Sequence, residues 1–170
     1  MKHSIYNKDN IKKEDINETI TRVKILLINS NKEITLAFSD NIYHFVGGHV
    51  EKNESLNDAI IREVLEETGI LLEKKNYEPF FKITQIFKDY PMKNKHNCYE
   101  YYYYAIKTNH IPNLNNTNYT EDEKNGNFEL KKIHINDIEK ILNETLSWSD
   151  KNKGIALTML EAISVYKELK

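Results

Sequence analysis

Hydrophobic and polar positions alternate with two different periods along this chain, and the change of period predicts the order of its elements. Residues 22–29 form a strongly apolar segment that is typical of a buried strand. A polar turn follows, and residues 33–38 then alternate as the returning strand of a hairpin does. Residues 41–46 predict a short third strand, which runs directly into Gly47-Gly48.

A helix is predicted shortly after this glycine pair. Ser55 and Asp58 match a capping box, so Ser55 is the expected N-cap residue, and Gly69 is expected to end the helix. Apolar residues recur at helical spacing between them and should face the core: Leu56, Ala59, Ile60 and Val64. This apolar stripe runs into Glu63 and Glu67, whose carboxylates are therefore expected in a cleft beside the core.

Strands and helices continue in the second half of the chain. Strands are predicted over residues 79–87, 99–107 and 128–135. Residues 108–127 are polar and lack periodicity, which predicts a long loop.

Two helices should end the chain. Asn136 is the expected cap of a short helix that ends at Ile141 or Leu142. A last helix, buried on one face, is indicated by the spacing of Ile155, Leu157, Leu160, Ile163, Tyr166 and Leu169. The order of strands, helix, strands and helices predicts an α/β sandwich around a mixed β-sheet.

The bulk composition favours one globular domain over residues 1–170, with a polar N-terminal extension over residues 1–20. A net charge of −2 gives no general electrostatic footprint for nucleic acid, so a nucleic-acid partner is not expected. Cys98 is the single cysteine, which excludes an intramolecular disulfide and fits a reducing compartment. The first twenty residues contain no apolar signal segment, and no apolar run is long enough to cross a bilayer. These features predict a soluble, cytoplasmic protein without a membrane partner.

The strongest chemical signal is a cluster of three carboxylates on the predicted helix. Glu63, Glu66 and Glu67 fall within an arc of about 100° on the helix surface. Glu63 and Glu67 form an unfavourable like-charge pair four residues apart, and Glu66 and Glu67 lie at the negative end of the helix dipole. Folding alone does not favour this arrangement. A hard divalent cation such as Mg²⁺ or Mn²⁺ would offset the charge.

Residues 48–70 resemble the Nudix box, a pattern that combines a glycine, a distant glutamate and an Arg-Glu-aliphatic-x-Glu-Glu segment. All of its fixed positions are matched, by Gly48, Glu54, Arg62, Glu63, Val64, Glu66, Glu67, Gly69 and Ile70. One departure from the family is Val46, which occupies the place where many members carry a proline before the paired glycines. Proline would only stiffen that turn.

The resemblance implies a Nudix-like α/β/α sandwich whose catalytic loop and helix follow the third strand. It also implies hydrolysis of a nucleoside diphosphate linked to another moiety, with Mg²⁺ or Mn²⁺ as cofactor. Glu63, Glu66 and Glu67 would then be metal ligands. The resemblance does not identify which of them is the general base. The backbone carbonyl of Gly48, or alternatively Gly47, would add a ligand, and Glu54 and Arg62 would form a supporting ion pair.

Several other residues have both a structural and a functional interpretation. A further acidic ligand would come from Glu121, Glu123 or Glu129, although each is more typical of a surface carboxylate. His49 and the loop residues Lys93, Lys95 and His96 would reach phosphates, or would simply be solvated. The aromatic segment 99–104 either packs the sheet or stacks on a nucleobase.

The substrate is left open by the sequence. Relatives that cleave dinucleoside polyphosphates carry a tyrosine downstream of the box where this chain has residues 86–88, and relatives that cleave ADP-ribose carry a proline where it has Gln85. Neither marker fits, and the selecting residues are expected within 80–129. The expected partner is a small nucleotide-type molecule, and the protein is expected to be a monomer or a homodimer. Two other functions remain alternatives: a non-catalytic nucleotide-sensing module and a hydrolase of RNA 5′ ends.

Overall fold

The computed structural model describes residues 1–125 and 127–169, apart from the side chains of residues 122 and 123. In this part of the chain seven strands form one sheet: β1 (Lys2–Tyr6), β2 (Glu18–Ile28), β3 (Glu33–Ser39), β4 (Ile42–Phe45), β5 (Phe81–Phe87), β6 (Asn97–Lys107) and β7 (Glu129–His134). The α-helices are α1 (Leu56–Thr68), α2 (Glu121–Asn125), α3 (Ile138–Thr145) and α4 (Asp150–Glu168). Two single 3₁₀ turns cover Lys13–Asp15 and Leu114–Asn116.

The sheet is mixed, as the order of elements predicts. Its strands follow the order β1-β5-β6-β2-β3-β4, and β7 pairs with β3. The β1–β5 and β2–β6 pairs are parallel, while the other pairs are antiparallel. The long β2–β6 pair runs from Glu18 beside Asn97 to Ile28 beside Lys107, and it forms the centre of the sheet.

Alternation along β2 divides the core into two layers. Val23, Ile25 and Leu27 pack with α1 on one face of the sheet. Leu26 and Ile28 point to the other face, where α3 and α4 cover the sheet. Successive side chains on a strand point to opposite faces, so a continuous apolar strand requires helices on both sides. The predicted α/β/α sandwich is therefore confirmed.

Helix α1 begins and ends at the residues that the sequence predicts. The Ser55 hydroxyl accepts a hydrogen bond of 3.1 Å from the backbone N–H of Asp58. Gly69 takes the left-handed conformation with φ of 69°, and its N–H donates to the carbonyl of Leu65. Ala59, Ile60 and Val64 are fully buried, and Leu56 packs against the same cluster from a partly buried position.

The ends of the chain differ from the sequence predictions. β1 lies within the polar extension and is stabilised by pairing with β5, which hydrophobic patterning does not indicate. Helix α3 begins after Asp137 rather than Asn136 and extends beyond Leu142 to Thr145. Helix α4 begins after Ser149, whose hydroxyl accepts from the N–H of Asn152, so the helix starts five residues before Ile155.

Two residues that the sequence places on the buried face of the last helix are exposed. Leu157 lies two residues after the partly buried Ile155, about 200° around the helix, and faces solvent. Leu169 follows the last helical residue and is also exposed. Among the described helices, none combines the length and the apolar character that crossing a bilayer requires.

Candidate active site

The Gly47-Gly48 loop runs antiparallel to β2, and the N–H and carbonyl of Gly47 make no backbone hydrogen bond with that strand. The carbonyl of Gly48 accepts from the N–H of Val23 at 3.0 Å, and the carbonyl of Val46 accepts from that of Ile25 at 2.8 Å. Gly47 lies between these bonds, so its own polar groups face the other way. Its N–H donates to Glu67 Oε1 at 3.1 Å, and its carbonyl accepts from Lys24 Nζ at 2.5 Å.

The two glycines allow this loop to lie close to β2 and α1. Gly47 has φ of +121°, and a Cβ there would lie 2.4 Å from the carbonyl oxygen of Val23. A Cβ on Gly48 would lie 2.6 Å from Oε1 of Glu63. Backbone atoms of the loop therefore reach the helix carboxylates directly, which is the arrangement that a shared ligand would use.

The three carboxylates of α1 occupy different environments. Glu63 and Glu67 are buried, with exposed fractions of 8% and 6%, whereas Glu66 is half-buried. Burial raises the pKa of Glu63, and the neighbouring charges of Arg62 and Lys24 oppose that rise. Two buried carboxylates on successive turns are costly unless cations balance them.

Arg62 supplies part of this balance through its guanidinium group. Nε and Nη2 bind the two carboxylate oxygens of Glu54 at 2.8 and 2.9 Å. Nη1 binds Glu63 at 2.8 Å and Glu66 at 3.0 Å, while Nη2 also donates to the carbonyl of His49 at 2.8 Å. The hydrogen bond from Arg62 lowers the pKa of Glu54, and Glu54 raises the pKa of Arg62. The sequence-predicted pair Glu54 and Arg62 thus lies in contact and connects loop to helix.

The chemistry of the donors suits a hard cation, since carboxylate and carbonyl oxygens are the ligands that Mg²⁺ prefers. Among the side chains that the structure describes, no group of three or more from His, Cys, Asp and Glu is arranged so that it could hold a metal ion. Nη1 of Arg62 binds both Glu63 and Glu66, so these two carboxylates share a cationic partner. A metal at this position would take over carboxylate contacts that the guanidinium makes here.

The candidate acidic ligands outside the box face other partners. Glu129 is exposed on β7 and forms an ion pair with Lys131. Glu121 is exposed on α2 and pairs with Lys124 at 2.8 Å. The side chain of Glu123 lies outside the described residues.

The candidate phosphate-binding residues are also separated. His49 is exposed at the loop, and its Nε2 lies 2.9 Å from Nη2 of Arg22. Lys93 and Lys95 are exposed on the loop between β5 and β6. His96 contributes its Nδ1 to a hydrogen bond with the backbone N–H of Asp89, so it orders that loop.

A cavity of about 490 Å³ lies beside the glycine loop, between the sheet and the first turns of α4. Tyr99, Tyr101 and Tyr103 point into it from alternate positions of β6, with Tyr90 at the β5–β6 loop. Tyr99 and Tyr101 have nearly parallel rings with centroids 6.3 Å apart. Burial of Tyr103 fits the packing interpretation of the aromatic segment, while Tyr99 and Tyr101 are partly exposed and stacking on a nucleobase stays a prediction.

Cationic side chains line part of this cavity, and one of them, Lys24, contacts Gly47. Arg22 and Lys24 lie on the same face of β2 as the tyrosines of β6, and Lys151 approaches from α4. His44 lies among them, and burial together with these charges lowers its pKa to about 3. Arg22 and Lys24 are not among the residues that the sequence motif indicates, although their spacing of two within an apolar strand is a signal for a shared face.

Comparisons with known proteins agree with this architecture. A family model described as NUDIX domain matches residues 18–148. Solved structures with the same fold include the C. elegans Ap4A hydrolase in a binary complex, with a TM-score of 0.54, 16% identity, and coverage of 88% of this chain and 96% of that chain. No protein with a curated description matches this chain significantly.

Two MutT structures also share the fold. The MutT protein of Bacillus halodurans gives a TM-score of 0.53 at 16% identity, covering 71% of this chain and 72% of that chain. The MutT protein of Methanosarcina mazei Go1 gives 0.51 at 20% identity, covering 71% and 80%.

The site and the family match together define a class of protein. The matched region contains the Gly-Gly loop, the carboxylates of α1 and most of the sheet. The chain belongs to the NUDIX domain family, and it is a Nudix-type hydrolase that acts on pyrophosphate bonds.

Proposed function

We propose that the protein is a metal-dependent pyrophosphohydrolase that cleaves a nucleoside diphosphate linked to another moiety by attack of water. The observation that carries the proposal is the contact between two buried carboxylates, Glu63 and Glu67, and the Gly47-Gly48 backbone. Buried carboxylates of this kind favour a bound cation, because leaving them unbalanced is costly. Mg²⁺ or Mn²⁺ is the proposed cofactor.

Residues of the site would bind the metal or hold the loop and the helix in position. Glu63, Glu66 and Glu67 would hold the metal together with the carbonyl of Gly47. Gly47 is preferred over Gly48 because its carbonyl accepts from the flexible side chain of Lys24, whereas the Gly48 carbonyl accepts from the backbone N–H of Val23 in β2. Arg62 and Glu54 would keep the loop and the helix at a fixed distance. When bound, the metal lowers the pKa of its water and neutralises charge on the phosphoryl group.

The cavity beside the loop supports a nucleotide as the substrate. Its volume is within the range of small-ligand sites, which is about 300–1,000 Å³. Tyr99 and Tyr101 offer ring faces for a base, and any nucleobase has a π-face on which an aromatic ring stacks. The base would then lie in the cavity, and the phosphates would extend past Arg22 and Lys24 toward Glu63.

The proposal is tested with purified protein, Mg²⁺ or Mn²⁺, and a panel of nucleotides. The panel contains NTPs, oxidised dNTPs, nucleotide sugars, ADP-ribose and dinucleoside polyphosphates, and release of phosphate or pyrophosphate is measured. Hydrolysis of at least one class is expected. Absence of release from every compound would contradict the proposal.

The site assignment is tested with Glu67→Gln. The amide oxygen still accepts from the N–H of Gly47, so the melting temperature should change little. Turnover should fall by about 10²- to 10⁴-fold, because a carboxylate that binds metal or accepts a proton is lost. Glu73→Gln, on an exposed residue beyond α1, is the control and should retain full activity. Full activity of Glu67→Gln would refute the assignment.

A further inference from the structure

Lys24 connects the two parts of the proposed site. Its Nζ donates to the carbonyl oxygen of Gly47 at 2.5 Å, and its side chain also lines the aromatic cavity. In the parallel β2–β6 register, Lys24 lies beside Tyr103 and Arg22 lies beside Tyr101. Lys24 therefore contacts the glycine loop and lines the same cavity as Arg22 and the tyrosine rings.

The Gly47 carbonyl would serve two different cations. Its hydrogen bond goes to the Lys24 ammonium, yet its orientation away from β2 makes it the proposed backbone ligand of the metal. A divalent ion and an ammonium at one oxygen repel each other strongly, because like charges a few ångströms apart interact with several kcal/mol outside bulk water. Metal binding at this carbonyl therefore favours departure of the lysine.

Lysine is suited to such an exchange. Its ammonium group is a compact charge on a flexible stem, whereas the guanidinium of Arg22 makes a specific contact with His49 at 2.9 Å. From Lys24 the nearest new anion would be a substrate phosphate, since the base would occupy the cavity that Lys24 lines.

We propose that Lys24 moves between the Gly47 carbonyl and a phosphate of the substrate, so that metal binding releases the ammonium for phosphate recognition. This inference rests on the proposed function, which supplies the metal and the nucleotide. Lys24 opposes the metal in the absence of substrate and binds the phosphate once the metal is present. Ordered binding follows, with the metal before the nucleotide.

The experiment uses isothermal titration calorimetry on the full chain, with Mn²⁺ alone as the first probe and inorganic pyrophosphate in saturating Mn²⁺ as the second. Lys24→Met removes the ammonium and keeps an unbranched side chain. It should tighten Mn²⁺ binding several-fold and weaken pyrophosphate binding about tenfold, the loss of one hydrogen bond to a charged group. Lys24→Arg retains the charge and should recover most of the pyrophosphate affinity.

Arg22→Met is the matched control, because it removes one positive charge from the same face of β2 without touching the Gly47 carbonyl. It should tighten Mn²⁺ binding less than Lys24→Met does. If both variants gain the same Mn²⁺ affinity, the effect comes from net charge, and the proposed exchange is overturned. Weaker Mn²⁺ binding by Lys24→Met, or unchanged pyrophosphate affinity, would also overturn it.

The wild-type protein gives an independent measurement that does not depend on the folding of Lys24→Met. The lysine ammonium resonance of Lys24, identified by its loss in Lys24→Arg, should shift when Mg²⁺ is added and again when pyrophosphate follows. A resonance that Mg²⁺ leaves unchanged refutes the exchange. Neither measurement requires turnover, so a failure of the nucleotide panel and a failure of the lysine exchange are separate results.

Discussion

Arg62 allows the carboxylates of the candidate site to lie close together, although their like charges repel one another. Its guanidinium group contacts Glu54, Glu63 and Glu66 at once, at 2.8 to 3.0 Å. A planar group with five donors can do this, whereas a lysine ammonium lacks the fork geometry. Single residues at this site therefore act through their contacts with one another.

Gly48→Ala tests the close approach of loop and helix. The added Cβ would lie 2.6 Å from Oε1 of Glu63, so the carboxylate must move away from the loop. We expect hydrolysis to fall by about 10²-fold, because a displacement near 1 Å at a reacting centre has an effect of that size. Steady-state kinetics with the substrate found in the nucleotide panel measures it. Activity equal to that of the wild type would show that Glu63 does not need this position.

His44 makes the stability of the fold depend on pH. Its pKa is lowered to about 3 by burial and by Lys24, Lys151 and Arg22, while an unfolded histidine titrates near 6.5. The unfolded chain therefore binds a proton more readily, so the contribution is complete above about pH 6.5 and is lost as pH falls toward 3. Between pH 7 and pH 5 the loss from this group is about 2 kcal/mol.

His44→Gln removes this titration. The difference in unfolding free energy between pH 7 and pH 5, measured with urea, should be about 2 kcal/mol smaller in the variant than in the wild type. Other ionisable groups affect both proteins equally and cancel in the comparison. An identical pH dependence of the unfolding free energy in both proteins would show that folding does not lower the pKa of His44.

At the scale of elements, helix α1 and the glycine loop form one unit. The helix buries Ala59, Ile60 and Val64 against β2, and the same orientation brings Glu63 and Glu67 to the loop. The long segment after β6 binds the C-terminal end of α1. The backbone N–H of Asn113 donates to the carbonyl of Thr68, and that of Asn118 donates to the carbonyl of Glu66. The carboxylates are thus positioned from both ends of the helix.

Helix α4 contains a glycine that the fold does not require. A Cβ on Gly154 would meet no atom within 4 Å, and the residue is exposed. Gly154→Ala should therefore stabilise the protein by about 0.5–1 kcal/mol, since alanine loses less conformational entropy in a helix. Urea denaturation at pH 7 measures the change. A loss of stability would contradict the open space seen at this position.

At the scale of the whole molecule, the N-terminal strand joins the far end of the chain. β1 pairs with β5 in parallel, and Ser4 and Tyr6 donate to the two carboxylate oxygens of Glu161 on α4 at 2.6 and 2.8 Å. The sheet edge and the helix layer are therefore joined by residues more than 150 positions apart.

Glu161→Ala tests this connection. Loss of the acceptor should lower the unfolding free energy by about 1–2 kcal/mol, within the range for hydrogen bonds to a charged group at a partly exposed site. It should also speed amide hydrogen exchange in β1 relative to β6. The exposed Glu144→Ala on α3 is the control and should leave exchange in β1 unchanged. Unaltered exchange in Glu161→Ala would mean that strand pairing alone retains β1.

The sequence alone determined the central strands, the caps of α1, the sandwich architecture and the carboxylate cluster. These features depend on local periodicity and on the fixed spacing of the box, and both are properties of the order of residues alone. Tertiary structure decided what depends on distant residues: the pairing of β1, the cavity between β6 and α4, the inward position of Arg22 and Lys24, and the contact of Lys24 with Gly47. Polar residues such as these follow no hydrophobic period, because their positions are set by partners that only folding brings together.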